Sequence, residues 1–242
     1  MTPARPDWYK WPGGREAMLR FGPDTGPVVV AALPLFEEAN RTRALVASIL
    51  RALAERDTAG ILPDVPGQGD SLRPVTEMTQ LRMAEALEAL TDTLLATNRR
   101  TYSLAIRSGA LLDICARHSG RWHLAPVTGD QMLRDLHRVW LAAAPRPAGA
   151  RSLDAMMYGS ENPVPVAGNL LSADLLTSFA AATPFAEPGV PLRILRLDGD
   201  PRPADRHLPG RPLWSAAEPG NDPALAAALA DDIAAWIARC EA

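Results

Sequence analysis

A chain of 242 residues, 47% of them hydrophobic, suits one large α/β domain with a real core, spanning 1–242. Charged residues make up 22% and the formal net charge is −3, so no basic field favours nucleic acid or an acidic membrane surface. Two cysteines, Cys115 and Cys240, each in a segment of helical pattern, suggest neither a disulfide framework nor a metal site, and the first residues lack a signal peptide's apolar core. With no apolar run long enough to span a bilayer, the expectation is a soluble cytoplasmic protein.

In chain order, residues 16–21 form a short candidate strand between turn signals, and PVVVAALP (27–34) is an apolar, valine-rich run that reads as a strand buried on both faces. Residues 39–56 have helical spacing, with Leu45, Ile49, Leu50 and Leu53 on one side. TAGILPD supplies a second buried strand, VPGQGDS a glycine-rich turn, and residues 76–98 an amphipathic helix. TYSLAI is a third strand, followed by a helix predicted over 108–118. RWHLAPV is a fourth, followed by a helix over 129–143. Short buried strands alternating with longer helices mark a doubly wound, mostly parallel sheet. The alternation breaks after residue 143, and 146–189 reads as an insertion or lid, with a strand-like piece and a short helix capped by Ser172. PLRILRLDG resumes the sheet, RPLWSA (211–216) reads as its last strand, and residues 222–238 close the chain as a helix. Trp8, Tyr9 and Trp11 are expected to cover one sheet edge, or to meet a partner.

The stretch LAIRSGALL, Leu104 to Leu112, has the rhythm of a strand running through a sharp turn into a helix. In α/β-hydrolases that turn reads G-x-S-x-G and lifts a serine above the sheet. Here, with Gly109 as the closing glycine, Arg107 takes the nucleophile's place and Ser108 comes one residue late. A guanidinium is cationic at physiological pH and can be neither base nor nucleophile. The bland role for Ser108 is to start the next helix or fill a small gap. PDVPGQGDS, Pro63 to Ser71, resembles the D-x-x-G-x-G-x-S turn that follows the fourth strand of the same superfamily. The pieces together resemble an α/β-hydrolase with a lid after its sixth strand.

The blocks LPLFEEANRTRALVASILRAL, LPDVPGQGDS, AIRSGALL, APVTGDQMLRDLHR and VPVAGNLLSADL resemble the exosortase A system-associated hydrolase 2 family, from about Leu33 to the end of the chain. Their most specific parts are the F-E-E-x-N block, Phe36 to Asn40, and the elbow, which opens with Ala105 instead of glycine. That resemblance implies an α/β-hydrolase-like protein of bacterial exopolysaccharide and exosortase systems.

The triad histidine belongs just after the last strand, where AAEPGNDP has none and Glu218 or Asn221 occupies the region. Of His118, His123, His137 and His207, only His207 is available, and Ser108, Asp198 or Asp200, and His207 do follow the nucleophile, acid, base order. No calcium or zinc spacing is present, and no cofactor is implied. Glu37 and Glu38 stand in the loop that should donate N–H groups to an oxyanion. They suit a partner for Arg107, either as a purely structural ion pair or as a site where Arg107 and the N-terminus of the following helix hold an anionic group. Apolar residues in or near the lid, Trp140, Met156, Met157, Tyr158 and Phe179, are candidates to line a pocket for an acyl-bearing ligand or simply to pack. Two functions follow: a catalytically silent binding or accessory protein, or an ester or thioester hydrolase using Ser108, Asp198 and His207.

Overall fold

The computed structural model describes residues 3–145, 151–159 and 162–242. An antiparallel hairpin opens the chain, β1 (Arg5–Trp11) and β2 (Gly14–Phe21). It is followed by β3 (Val28–Ala32), α1 (Glu37–Ala54), β4 (Ala59–Pro63), α2 (Gln80–Leu95), β5 (Thr101–Ile106), β6 (Gly120–Leu124) and α3 (Gly129–Ala143). A small unit, α4 (Leu153–Tyr158), β7 (Val164–Val166), β8 (Asn169–Leu171) and α5 (Ala173–Phe179), precedes β9 (Leu192–Leu197), β10 (Arg206–Leu208) and α6 (Pro223–Glu241). Eight strands pair in the order β1-β2-β4-β3-β5-β6-β9-β10, parallel from β4 onward.

Every residue of β3, β4, β5 and β6 is buried, which is why β3 and β4 read as continuous apolar runs. On one face, Leu45, Ile49, Leu50 and Leu53 of α1 pack with Leu229, Ile233 and Trp236 of α6 over Val29, Leu104, Ile106 and Trp122. On the other, Ala86, Leu90 and Leu94 of α2 cover Val28, Val30 and Ile61, with Tyr9 and Trp11 joining the same cluster. The aromatic N-terminal segment is thus itself the edge strand β1. Tyr9 donates its hydroxyl to the Asp64 carbonyl at 2.7 Å, while Trp8 faces solvent beneath Arg15.

Three expectations are corrected. The helix over 108–118 is absent: a five-residue 3-10 turn, Arg107–Leu111, is followed by irregular chain that carries Cys115 and His118. Ala110, Leu111 and Leu112 are buried with Ala105 without a helix, and the sheet face beyond them is polar, with Thr101, Ser103, Arg121 and His123 buried. The chain instead delivers Asp113 and His118, whose carboxylate and imidazole lie 3.4 Å apart, with Arg121 Nε 3.0 Å from Asp113. The segment 211–216 is not a strand but holds a 3-10 turn, Leu213–Ser215, because Pro212 has no N–H to give a ladder. The last strand is β10, so His207 lies on it rather than in a loop before it. Finally, the helix predicted over 76–98 is split. Thr79 caps α2 by accepting from the Arg82 N–H, and residues 75–77 form a separate 3-10 turn.

Within the expected insertion, Ser172 caps α5 as predicted, accepting from the Leu175 N–H. Its positions 146–150 and 160–161 lie outside the described residues. Met156, Met157 and Phe179 pack with Trp140 into a core shared with α3, whereas Tyr158 is exposed. Among the described residues no helix is long and apolar enough to cross a membrane.

Candidate functional site: the turn after β5

β5 ends at Ile106, and the next residue, Arg107, has φ +53°. A side chain in that left-handed region costs about 1–2 kcal/mol and persists only where its surroundings hold it. Gly109 sets the frame: a Cβ there would stand 2.3 Å from the Ala32 carbonyl oxygen, so the turn packs against the end of β3 only with glycine. Arg107 is therefore the apex of the turn.

Its guanidinium is clamped. Nε and Nη2 donate to the two oxygens of Glu38 at 3.2 and 3.0 Å, and Nη2 also donates to Asp135 Oδ2 at 3.1 Å. Of the two acids offered by the loop after β3, the partner is Glu38; Glu37 turns to Arg41 at 3.2 Å. Burial pushes the Glu38 carboxyl up, and the adjacent Arg107 opposes that shift. Asp135 is a partner the sequence reading missed. A signal was present: it interrupts the α3 face formed by Met132, Leu136 and Val139. Its other oxygen is held by Arg138. Above the guanidinium, 5.4 Å away, lies the ring of Trp214, in the 3-10 turn after β10.

Two backbone donors of the loop after β3 are spent. The Leu35 N–H donates to Ser108 Oγ at 2.9 Å, and the Phe36 N–H donates to Gln68 Oε1 at 2.8 Å. Phe36 itself is strained, with φ +60° and ψ −132°. The space left over Arg107 and Ser108 is about 40 Å³, walled by Leu35, Val127, Met132 and Leu136. Small-molecule sites usually begin near ~300 Å³.

The Ser108, Asp198 and His207 set is not brought together. Ser108 is buried and tied to Leu35. Asp198 is exposed at the end of β9, its N–H donating to the Leu208 carbonyl at 2.9 Å. His207 is exposed on β10, with Nε2 3.0 Å from the Asp200 carbonyl and 3.2 Å from that of Arg202. β10 is three strands from β5, roughly 14 Å across the sheet at the usual strand spacing. Asp200, the other candidate acid, is bound by Arg196 and Arg202, chiefly the latter, and its carboxyl is held well below the usual range. His118 and His123 are buried in the cluster beside Arg121, and desolvation pushes them down to about 3 and about 4, so both are neutral. His137 meets the Arg151 carbonyl at 2.7 Å. Among the described residues no group of three or more His, Cys, Asp or Glu side chains is placed to hold a metal ion.

The architecture has solved counterparts. The chain superposes on a substrate-bound variant of AqdC, described as recognising and ring-cleaving the Pseudomonas quinolone signal, with TM-score 0.56 and 18% identity over 96% of this chain and 99% of that one. It also superposes on a thermophilic esterase from Thermogutta terrifontis, with TM-score 0.53 and 13% identity over 99% and 100% of the two chains. The fold is that of the α/β-hydrolases. At these identities the likeness establishes the fold alone. Against the epoxide hydrolase of Vigna radiata the chain spans 46% of that protein's length, at TM-score 0.43. No family model and no curated protein matches the sequence.

In an α/β-hydrolase the turn after the central strand presents the nucleophile, and a histidine after the last strand activates it. In this α/β-hydrolase fold the first position holds Arg107, and the turn after the last strand sends Trp214 to the same place. The D-x-x-G-x-G-x-S turn has a structural job. Asp64 is buried and accepts the Asp70 N–H at 3.1 Å, a Cβ on Gly69 would meet its carboxylate at 2.4 Å, and Ser71 Oγ accepts from the Gly67 N–H at 3.0 Å.

Proposed function

We propose that this chain is a catalytically silent α/β-hydrolase-fold protein with a binding or accessory role, in exopolysaccharide- or exosortase-linked processes as its family resemblance implies. One observation carries the reading: the apex side chain is an arginine clamped by two carboxylates, Glu38 and Asp135, in a space of about 40 Å³. Acyl transfer needs a nucleophile, a base beside it, and donors aimed at developing negative charge. A guanidinium is not a nucleophile, Trp214 is not a base, and the N–H groups of Leu35 and Phe36 already bond Ser108 and Gln68. The anion-holding role for Arg107 loses its helix, since only a 3-10 turn follows, and an anion there would meet Glu38 and Asp135.

A fluorophosphonate probe and p-nitrophenyl esters test this directly. The expected result is no covalent labelling and no hydrolysis above a heat-denatured control. Labelling of wild type that disappears in Ser108→Ala would establish the hydrolase instead.

A further inference from the structure

A larger cavity opens beside the elbow, distinct from the space over Arg107. It measures about 370 Å³ and lies at the carboxyl ends of β3 and β4, between the loop Leu33–Glu37, one face of α1 and the turn Asp64–Asp70. The tip of the β7–β8 hairpin, Ala167 and Asn169, forms its rim. Ligands of open α/β sheets bind at this end of the strands, and the volume falls in the range of small-molecule sites.

What the cavity accepts follows from which of its polar groups are already satisfied. Its charges largely compensate one another within the protein: Arg43 bonds Asp64 at 2.6 Å, and Glu37 bonds Arg41 at 3.2 Å. The unspent capacity is of another kind. The Asn40 amide has no hydrogen-bond partner among the described residues, and only Nη1 of the Arg43 guanidinium is engaged. Asn169 spends Nδ2 on the Ala167 carbonyl and keeps Oδ1. The Asp70 carboxylate is exposed at the rim. Donors and acceptors are thus both offered, on walls whose charge is mostly neutralised. An anion entering here meets the carboxylates of Glu37, Asp64 and Asp70; a cation meets Arg43. A charged ligand of either sign thus meets a group of its own sign, a penalty a neutral ligand avoids. A hydroxyl both donates and accepts, so a neutral polyol matches amides, guanidinium and carboxylate at once.

We propose that this cavity binds a small neutral polyhydroxylated molecule of monosaccharide size. The proposal goes beyond the silence of the elbow and does not require it. Asn40→Leu is the informative variant, because the residue is exposed on α1 and leucine favours the helix while removing the amide. The full chain is examined by saturation-transfer NMR with glucose, galactose, N-acetylglucosamine and myo-inositol, with glucuronate and spermidine at the same concentration as charged comparators. At least one neutral member receives saturation in excess of both comparators, and its binding weakens about 3- to 10-fold in Asn40→Leu, the worth of one hydrogen bond. Circular dichroism checks that the variant keeps its fold. Transfer to none of the neutral members overturns the proposal. So does preferential binding of spermidine or glucuronate, or unchanged binding in a folded Asn40→Leu protein.

Discussion

Replacing Arg107 with alanine tests the clamp quantitatively. The Arg107 side chain is 11% exposed and that of Glu38 20%, so the pair is mostly shielded from water. Removing one member of a buried ion pair costs about 3–5 kcal/mol, because the other charge is left without a partner. Residual exposure of Glu38 and Asp135 lets water recover part of this, and loss of the Trp214 ring contact adds about 0.5–1 kcal/mol. Alanine keeps a Cβ at φ +53°, so backbone strain is unchanged. The expected loss is about 3 kcal/mol, or roughly 6–12 °C in Tm for a chain of this size. Urea unfolding at pH 7, followed by tryptophan fluorescence, measures it. Adding Glu38→Gln to Arg107→Ala restores about 1–2 kcal/mol, since the stranded charge is gone. The deficit also shrinks as pH falls through the carboxylate range, because burial already pushes Glu38 up and the protonated acid needs no cation. An Arg107→Ala protein within about 0.5 kcal/mol of wild type, or strict additivity with Glu38→Gln, would refute the clamp.

The buried cluster below β5 and β6 makes stability depend on pH in two opposing ways. His118 and His123 are pushed down to about 3 and about 4 by burial, so the unfolded chain takes up their protons near pH 6.5 while the folded chain does not. Their contribution is present above pH 6.5 and lost as pH falls. Asp113, raised to about 6 by burial, acts oppositely over pH 6 to 4, where the folded chain retains a proton the unfolded one releases. With two imidazoles against one carboxyl, stability falls from pH 6.5 to pH 4. Urea midpoints across that range check it, and His123→Leu flattens the slope; an unaltered slope in that variant would show that His123 does not titrate as described. At the elbow, Gly109→Ala forces a methyl to 2.3 Å from the Ala32 carbonyl and costs at least about 2 kcal/mol. A wild-type Tm in Gly109→Ala would mean that the turn does not pack on β3 as closely as described.

Much of the architecture was legible because it is written in local patterns. β3 and β4 are fully buried strands that announce themselves as apolar runs, β5 and β6 are short segments bounded by helical patterns, and α1 and α3 carry their stripes at helical spacing. β1 was not read as a strand, because Arg5, Pro6, Asp7 and Lys10 break up its aromatics and leave no apolar run. The helix expected at 108–118 met a non-local condition: only Ala110, Leu111 and Leu112 find apolar cover, while the sheet beyond offers the polar Thr101, Ser103, Arg121 and His123. β10 is three residues long and paired on one side only, too short to leave a periodic signal beside the prolines of its loop.

By itself the amino-acid order put an arginine two residues before the closing Gly109 of the turn and no histidine beyond His207, since both depend only on which residue stands where. It left open which carboxylate meets Arg107, whether the nearby N–H groups are free, and how much room remains. Those were settled by contacts between distant parts of the chain: Glu38 is 69 residues from Arg107, Asp135 is 28 away, and Ser108 reaches Leu35 across 73. Side chains so far apart meet only because the crossovers of a parallel sheet bring the ends of β3, β5 and β6 to one edge, and no local pattern records which of them will touch.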